Sequence, residues 1–220
     1  MSKDQLQTTG LTGPFELADK SVLSKLSEEV LELNASKKDD RQVNPALMDR
    51  HRDVSVIREI FFDDNVQSEF TECFGNDLIL WRSNFLINDE RTREASWQHS
   101  RTFEQGNAPL DIYNTDNHFT VLLAVTDMGF AYIRGSHLPI EGFDRDQLGR
   151  HISELPANVQ DSATEEALDR GQFVLFHSSL LHRNQPIIKG ASPGILMVGR
   201  LVRTGTDIPE RFLGAQEALS

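Results

Sequence analysis

Apolar residues in the first third of the chain recur at helical spacing. The stretch "DKSVLSKLSEEVLEL" repeats them at the interval of one buried helix face, with Asp19 placed to cap it. The stretches "DVSVIREIFF" and "NVQSEFTECFG" predict two shorter helices, the second ending at Gly75. We expect residues 1–10 to be flexible, as chain termini often are.

Beyond Asp77 the pattern changes to that of strands. "LILWRSNFLI", "HFTVLLAVT", "FAYI", "QFVLF" and "GILMVGRLVR" are rich in β-branched and aromatic residues and are separated by turn residues. Strands and helices do not alternate, which favours a mainly β sandwich or jelly roll with flanking helices over a parallel sheet. Residues 140–170 are polar and predict a long insert or lid.

Length and charge narrow the class of protein. The 220 residues suit a single domain, 1–220, with a substantial core. The net charge of −12 argues against nucleic acid and anionic membrane surfaces as partners, which leaves a small molecule as the expected one. There is no apolar leader, and the apolar runs are too short to span a bilayer, so we expect a cytoplasmic protein. The oligomeric state is not readable from the sequence.

The order of several motifs resembles one enzyme family. "LTGPFEL", "DLILWRSNFLIN", "SWQHS", "FTVLLAVTD", "RGSHLP" and "GQFVLFHSSLLHRNQP" follow one another as in the phytanoyl-CoA dioxygenase-like branch of the iron(II)/2-oxoglutarate oxygenases. The resemblance runs from about Leu11 to about Arg203. It implies a double-stranded β-helix, a cupin-like jelly roll, with Fe(II) and 2-oxoglutarate as cofactors.

The family's iron ligands are His-x-Asp on one strand and a second His on a later strand. The match to "FHSSLLHRNQP" implies that His182 is the second histidine. At the first motif, direct alignment puts Gln98 at the His position and Ser100 at the Asp position. A bulge of one residue would instead bring His99 to the ligand position and Arg101 to the carboxylate position. We therefore take His99 and His182 as the candidate metal ligands.

The family's arginine for the distal carboxylate of 2-oxoglutarate is also displaced. It normally lies about ten residues beyond the second histidine, where this chain has no cation. Lys189 and Arg200 are the nearest candidates for binding the keto acid. The acids between the histidines, Glu104, Asp111 and Asp116, have no spacing that points to the site.

Three functional hypotheses follow. In the first, the chain is an oxygenase with an atypical iron site that acts on a small organic metabolite in biosynthesis. In the second, it has lost iron and 2-oxoglutarate binding and is a redox-neutral enzyme of the cyclase or isomerase type, or a small-molecule binder; His99, Arg101, Gln98 and Ser100 then become catalytic or pocket groups. In the third, it is a non-catalytic helper subunit. Halogenation, which some relatives achieve without the carboxylate, is a remote variant of the first.

Overall fold

A computed structural model describes residues 2–35, 47–88, 96–99, 114, 116–143, 155–184, 193–206, 208 and 217–218. Within these, five α-helices are α1 (Ser2–Thr9), α2 (Val22–Ala35), α3 (Ser55–Phe61), α4 (Asp64–Phe74) and α5 (Ala157–Gln160). The strands are β1 (Leu11–Glu16), β2 (Leu78–Asn88), β3 (His118–Ala124), β4 (Met128–Ile133), β5 (Ala163–Leu168), β6 (Gln172–His177), β7 (His182–Asn184), β8 (Gly194–Arg203) and β9 (Glu217–Ala218).

The strands form two antiparallel sheets. The larger has the order β1-β6-β3-β8-β2-β9 and the smaller the order β5-β4-β7. A cluster of buried apolar residues includes Leu122, Phe176 and Val198 from the larger sheet together with Phe130 and Tyr132 from the smaller one. The two sheets therefore face each other across a shared interior, as in a jelly roll.

Alternation along β8 shows how the larger sheet separates that interior from the helices. Leu196 and Val198 belong to the cluster between the sheets, whereas Ile195 and Met197 belong to the cluster formed with the helices. At Gly199, on the helix side, a Cβ atom would lie 2.8 Å from Val121 Cγ1 and closer still to the Phe61 ring. A glycine here lets α3 pack directly on the sheet.

One carboxylate fixes the start of α4 to the chain before α2. Asp63 Oδ1 accepts hydrogen bonds from the N–H groups of Asn65 and Val66, at 2.9 and 3.3 Å, and so caps the helix. Its Oδ2 accepts from the N–H groups of Ala18 and Asp19 at 3.0 and 3.3 Å. Asp63 therefore holds the first turn of α4 against the segment that precedes α2.

The structure adds detail in three segments. Residues 2–9 form α1, in which Leu6 is buried, and the expected flexibility of residues 1–10 stays a prediction. β1 was not predicted, because its Gly13 and Pro14 indicate a turn, yet it pairs with β6 at the edge of the larger sheet. The predicted insert 140–170 contains α5 and the regular strand β5, which pairs with β4; its residues 144–154 lie outside the described part.

In the described part of the chain, the helices are all too short or too polar to cross a membrane.

Candidate active site

The interior between the sheets is apolar at one end and polar at the other. Side chains of the larger sheet that point into the interior form rows across paired strands. One such inward row is apolar and consists of Leu122, Val174 and Val198; the next contains Ala124 and Leu196 and is also apolar. In the opposite direction, the next inward row contains Thr120 and Arg200, both buried. His182 reaches this end from the smaller sheet, so the polar end is the candidate site.

His182 begins β7 and is held as a neutral imidazole. Its Cα is paired with that of Tyr132, and its ring centre lies 5.0 Å from that of Phe176, which places the side chain between the sheets. Its Nδ1 is 2.9 Å from the carbonyl oxygen of Leu180, to which the neutral tautomer donates its proton. Burial, helped by the charges of His99 and Arg200, lowers the pKa of His182 to about 4. The Nε2 lone pair is thus available to accept a proton or a hydrogen bond.

The register of the "SWQHS" segment is set by pairing with His182. The N–H of Gln98 donates to the carbonyl of His182 at 2.9 Å, and the N–H of His182 donates to the carbonyl of Gln98 at 2.8 Å. Residues directly opposite in an antiparallel pair share a face. Gln98 therefore stands beside His182, which is the register of direct alignment with the family motif.

The residues on either side of Gln98 fit this register. Trp97 belongs to the outer cluster with Ala131 and Ile133, and the guanidinium of Arg183 lies 4.6 Å from its ring centre. His99 follows this bridge, is fully buried and lies close enough to His182 to affect the pKa of that residue. The role of His99 as a metal ligand stays a prediction.

Two buried arginines lie side by side on the inner face of the larger sheet. The Cα of Arg200 is paired with that of Thr120 on one side and with that of Arg82 on the other. Both arginines are at least nine-tenths buried. Arg82 Nε lies 3.6 Å from Asp49 Oδ1. Arg200 thus brings a buried guanidinium to the polar end of the interior, in a protein of net charge −12.

Two hydroxyl groups, those of Thr120 and Ser178, also lie at this polar end of the interior. Thr120 Oγ1 and Ser178 Oγ are 3.0 Å apart, and both side chains are buried. Hydroxyls both donate and accept, so this pair is able to bind a carboxylate or a neutral oxygen.

Other candidates from the sequence lie elsewhere. Asp116 borders a cavity of about 320 Å³ on the outer face of the larger sheet, together with His137 and His177. Burial raises the pKa of the Cys73 thiol at that cavity to about 12, so it is no nucleophile. Ser100, Arg101, Glu104, Asp111 and Lys189 lie outside the described residues.

The described residues do not fit an iron(II) centre. A neutral amide, Gln98, stands beside His182 where the first imidazole is expected. Among the residues described, three or more His, Cys, Asp or Glu side chains do not meet anywhere as a group able to hold a metal ion. The positive charge of Arg200, which disfavours an imidazolium at His182, disfavours a dication there for the same reason.

Several polar residues of the interior were missed by sequence reasoning. Arg82 and Asn84 on β2 and Asn184 on β7 share the inward face, as their Cα pairings with Arg200, Val198 and Phe130 indicate. The signal was present in "WRSNFLIN", where Arg82, Asn84 and Asn88 lie an even number of residues apart in a largely apolar strand.

Two facing antiparallel sheets with helices on the outside, and a polar site at one end of the interior, define a jelly roll with a candidate site between its sheets. The chain belongs to the phytanoyl-CoA dioxygenase (PhyH) family, whose model matches residues 6–188. None of the curated proteins matches the chain by sequence.

Similar solved structures include several enzymes of this type. A nickel complex of the non-heme monooxygenase ThoJ has 20% identity and a TM-score of 0.70, covering 96% of this chain and 89% of that one. The non-heme alpha-ketoglutarate-dependent epimerase SnoN, from nogalamycin biosynthesis, has 15% identity and a TM-score of 0.70, covering 92% and 82%. The carbocyclase SnoK from the same biosynthesis has 18% identity and a TM-score of 0.69, covering 92% and 83%. At these identities the likeness shows the fold.

Proposed function

We propose that this protein binds a small organic anion between its two sheets and acts on it by redox-neutral chemistry, as an isomerase, a cyclase or a binding protein. The observation that carries the proposal is the buried guanidinium of Arg200 at the polar end of the interior, beside His182. A buried cation is stabilised by an anion, and the guanidinium fork matches a carboxylate in a bidentate way.

The neighbouring groups suit an acid–base role. His182 presents a neutral imidazole whose ring is oriented through Nδ1 by the Leu180 carbonyl, so its Nε2 is a proton acceptor. Burial is the main cause of the lowered pKa of His182, and the charge of Arg200 adds to it. A carboxylate bound at Arg200 would offset that added effect and so make the imidazole a better base. The hydroxyls of Thr120 and Ser178 would orient the bound molecule.

A test of this proposal is calorimetric titration of the metal-free protein with 2-oxoglutarate, used as a dicarboxylate probe. We expect saturable binding in the presence of EDTA, and loss of at least tenfold in affinity in Arg200→Met, because a charge-assisted hydrogen bond contributes roughly 1.5–3 kcal/mol. Arg203→Met is the matched control: Arg203 lies on the same strand but pairs with Asp77 outside the interior, at 2.6 Å. Equal affinity in both variants would refute the role of Arg200.

A second candidate, an iron/2-oxoglutarate oxygenase with an atypical site, is favoured by one feature. Metal-binding histidines usually donate their second ring N–H to a carbonyl or carboxylate, as His182 does to Leu180. In that case His99 and His182 are the candidate ligands, with Gln98 beside His182, and Arg200 holds the keto acid. Lys189 is the alternative cation for that role. Ferrous titration of the apo protein separates this candidate from the first.

A further inference from the structure

Asn184, at the end of β7, is a buried amide with an unsatisfied acceptor. The side chain is 5% exposed, and its Oδ1 has no hydrogen-bond partner within the described part of the chain. It lies two residues beyond His182 on the same strand, and its Cα partner is Phe130. Because Phe130 belongs to the cluster between the sheets, the amide faces the interior next to His182.

An amide in this position is unfavourable for the fold alone. Buried polar atoms are nearly always hydrogen-bonded, and an unsatisfied acceptor loses its hydration without compensation. The side chain of its partner on β4, Phe130, has no N–H or O–H to donate to this oxygen. A leucine, which has the same branching without a polar atom, would leave no acceptor unsatisfied, so the amide points to a donor on a ligand.

Asn184 and Arg200 lie on facing sheets of the same interior. Packed sheets are about 10 Å apart, so a ligand held at Arg200 by a carboxylate extends from the larger sheet toward the smaller one. A hydrogen-bond donor at its far end then comes into the range of the amide oxygen. This step rests on the proposed anion-binding function.

We propose that Asn184 is a specificity-determining residue, which accepts a hydrogen bond from a hydroxyl or amino group of the bound anion. The substrate class is accordingly a hydroxy- or amino-carboxylate and not a simple or oxo-carboxylate. A site built to pair with a donor discriminates against an analogue that lacks it, because the buried acceptor stays unpaired.

The test compares three probes that share a five-carbon dicarboxylate and differ only at carbon 2: 2-oxoglutarate, 2-hydroxyglutarate and glutamate. Their affinities are measured by calorimetry on the metal-free wild type and on Asn184→Leu. We expect the wild type to bind the hydroxy or the amino compound roughly fivefold to tenfold more tightly than the oxo compound, and the variant to bind all three about equally. The melting temperature of Asn184→Leu should also be higher, since the unsatisfied acceptor is gone.

The three probes separate the role of Asn184 from that of Arg200. Equal binding of the three probes to the wild type, or a preference that survives in Asn184→Leu, would overturn the role of Asn184 and leave the role of Arg200 standing. Failure of the wild type to bind any of the probes would overturn the proposed anion-binding function, and this specificity with it. Asn184→Ala serves for the same comparison should the leucine variant not fold.

Discussion

His182 shows how its surroundings set the chemistry of a single residue. From the sequence it was identified as a metal ligand by its place in "HSSLLHRNQP". In the structure it is buried, is hydrogen-bonded through Nδ1 to Leu180, and has a pKa lowered to about 4. It therefore stays neutral at physiological pH.

This shift predicts a pH dependence of stability. The usual pKa of histidine is about 6.5, so between about pH 6.5 and pH 4 the unfolded chain binds a proton that the folded one does not. The free energy of unfolding should thus fall as the pH is lowered through this range, by roughly 3 kcal/mol in total from His182. Urea unfolding at several pH values measures it.

The matched variant for this prediction is His182→Gln, which has no titrating ring. Other groups contribute equally to both proteins, so the difference in unfolding free energy between wild type and variant should shrink as the pH falls toward 4. A difference that stays constant over the range would contradict the assigned environment of His182.

Residue-level sequence reasoning left the register at Gln98 open. The two registers differ by one residue, and both are compatible with strand alternation. The choice is made by a long-range pairing, Gln98 with His182, together with the contact of Arg183 with Trp97. Neither partner is adjacent in sequence, which is why the sequence did not settle it.

At the scale of elements, the junction at Asp63 is the most testable feature of the helical layer. Its carboxylate caps α4 and also accepts from the backbone of residues 18 and 19, so Asp63→Ala should lower the free energy of unfolding by about 1–2 kcal/mol. Chemical denaturation measures the loss. Asp64→Ala, one residue further and exposed, removes a similar charge near the helix start and should cost less than 1 kcal/mol. Equal losses would show that charge, and not the cap, stabilises this end.

The elements predicted best from the sequence were those with a strong local pattern. β8 was predicted with its observed bounds, because "GILMVGRLVR" is mostly apolar on both faces and lies between two buried layers. β1 and β5 were missed: both are edge strands, the first containing Gly13 and Pro14 and the second reading "ATEEAL" with several partly or fully exposed residues. Edge strands bury little surface, so their sequences carry a weak signal.

At the scale of the molecule, the jelly roll was predicted correctly and its family is confirmed by the match over residues 6–188. Of the polar residues of the interior, the sequence analysis named Arg200 and His182, whose roles stay predictions, and did not name Arg82, Thr120 and Asn184. Such residues come together through the pairing of strands far apart in sequence. The same fold supports a monooxygenase, an epimerase and a carbocyclase among similar solved structures, so the reaction depends on the site and not on the fold.

The central claim is that this interior binds an anion and not iron. The most direct test is anaerobic titration of the apo protein with ferrous ion, with and without 2-oxoglutarate, reading bound metal and the charge-transfer band of the iron–keto acid complex. With Gln98 beside His182 and a buried arginine next to them, we predict no saturable iron binding and no such band. Stoichiometric iron with a charge-transfer band would contradict the account and restore the oxygenase hypothesis.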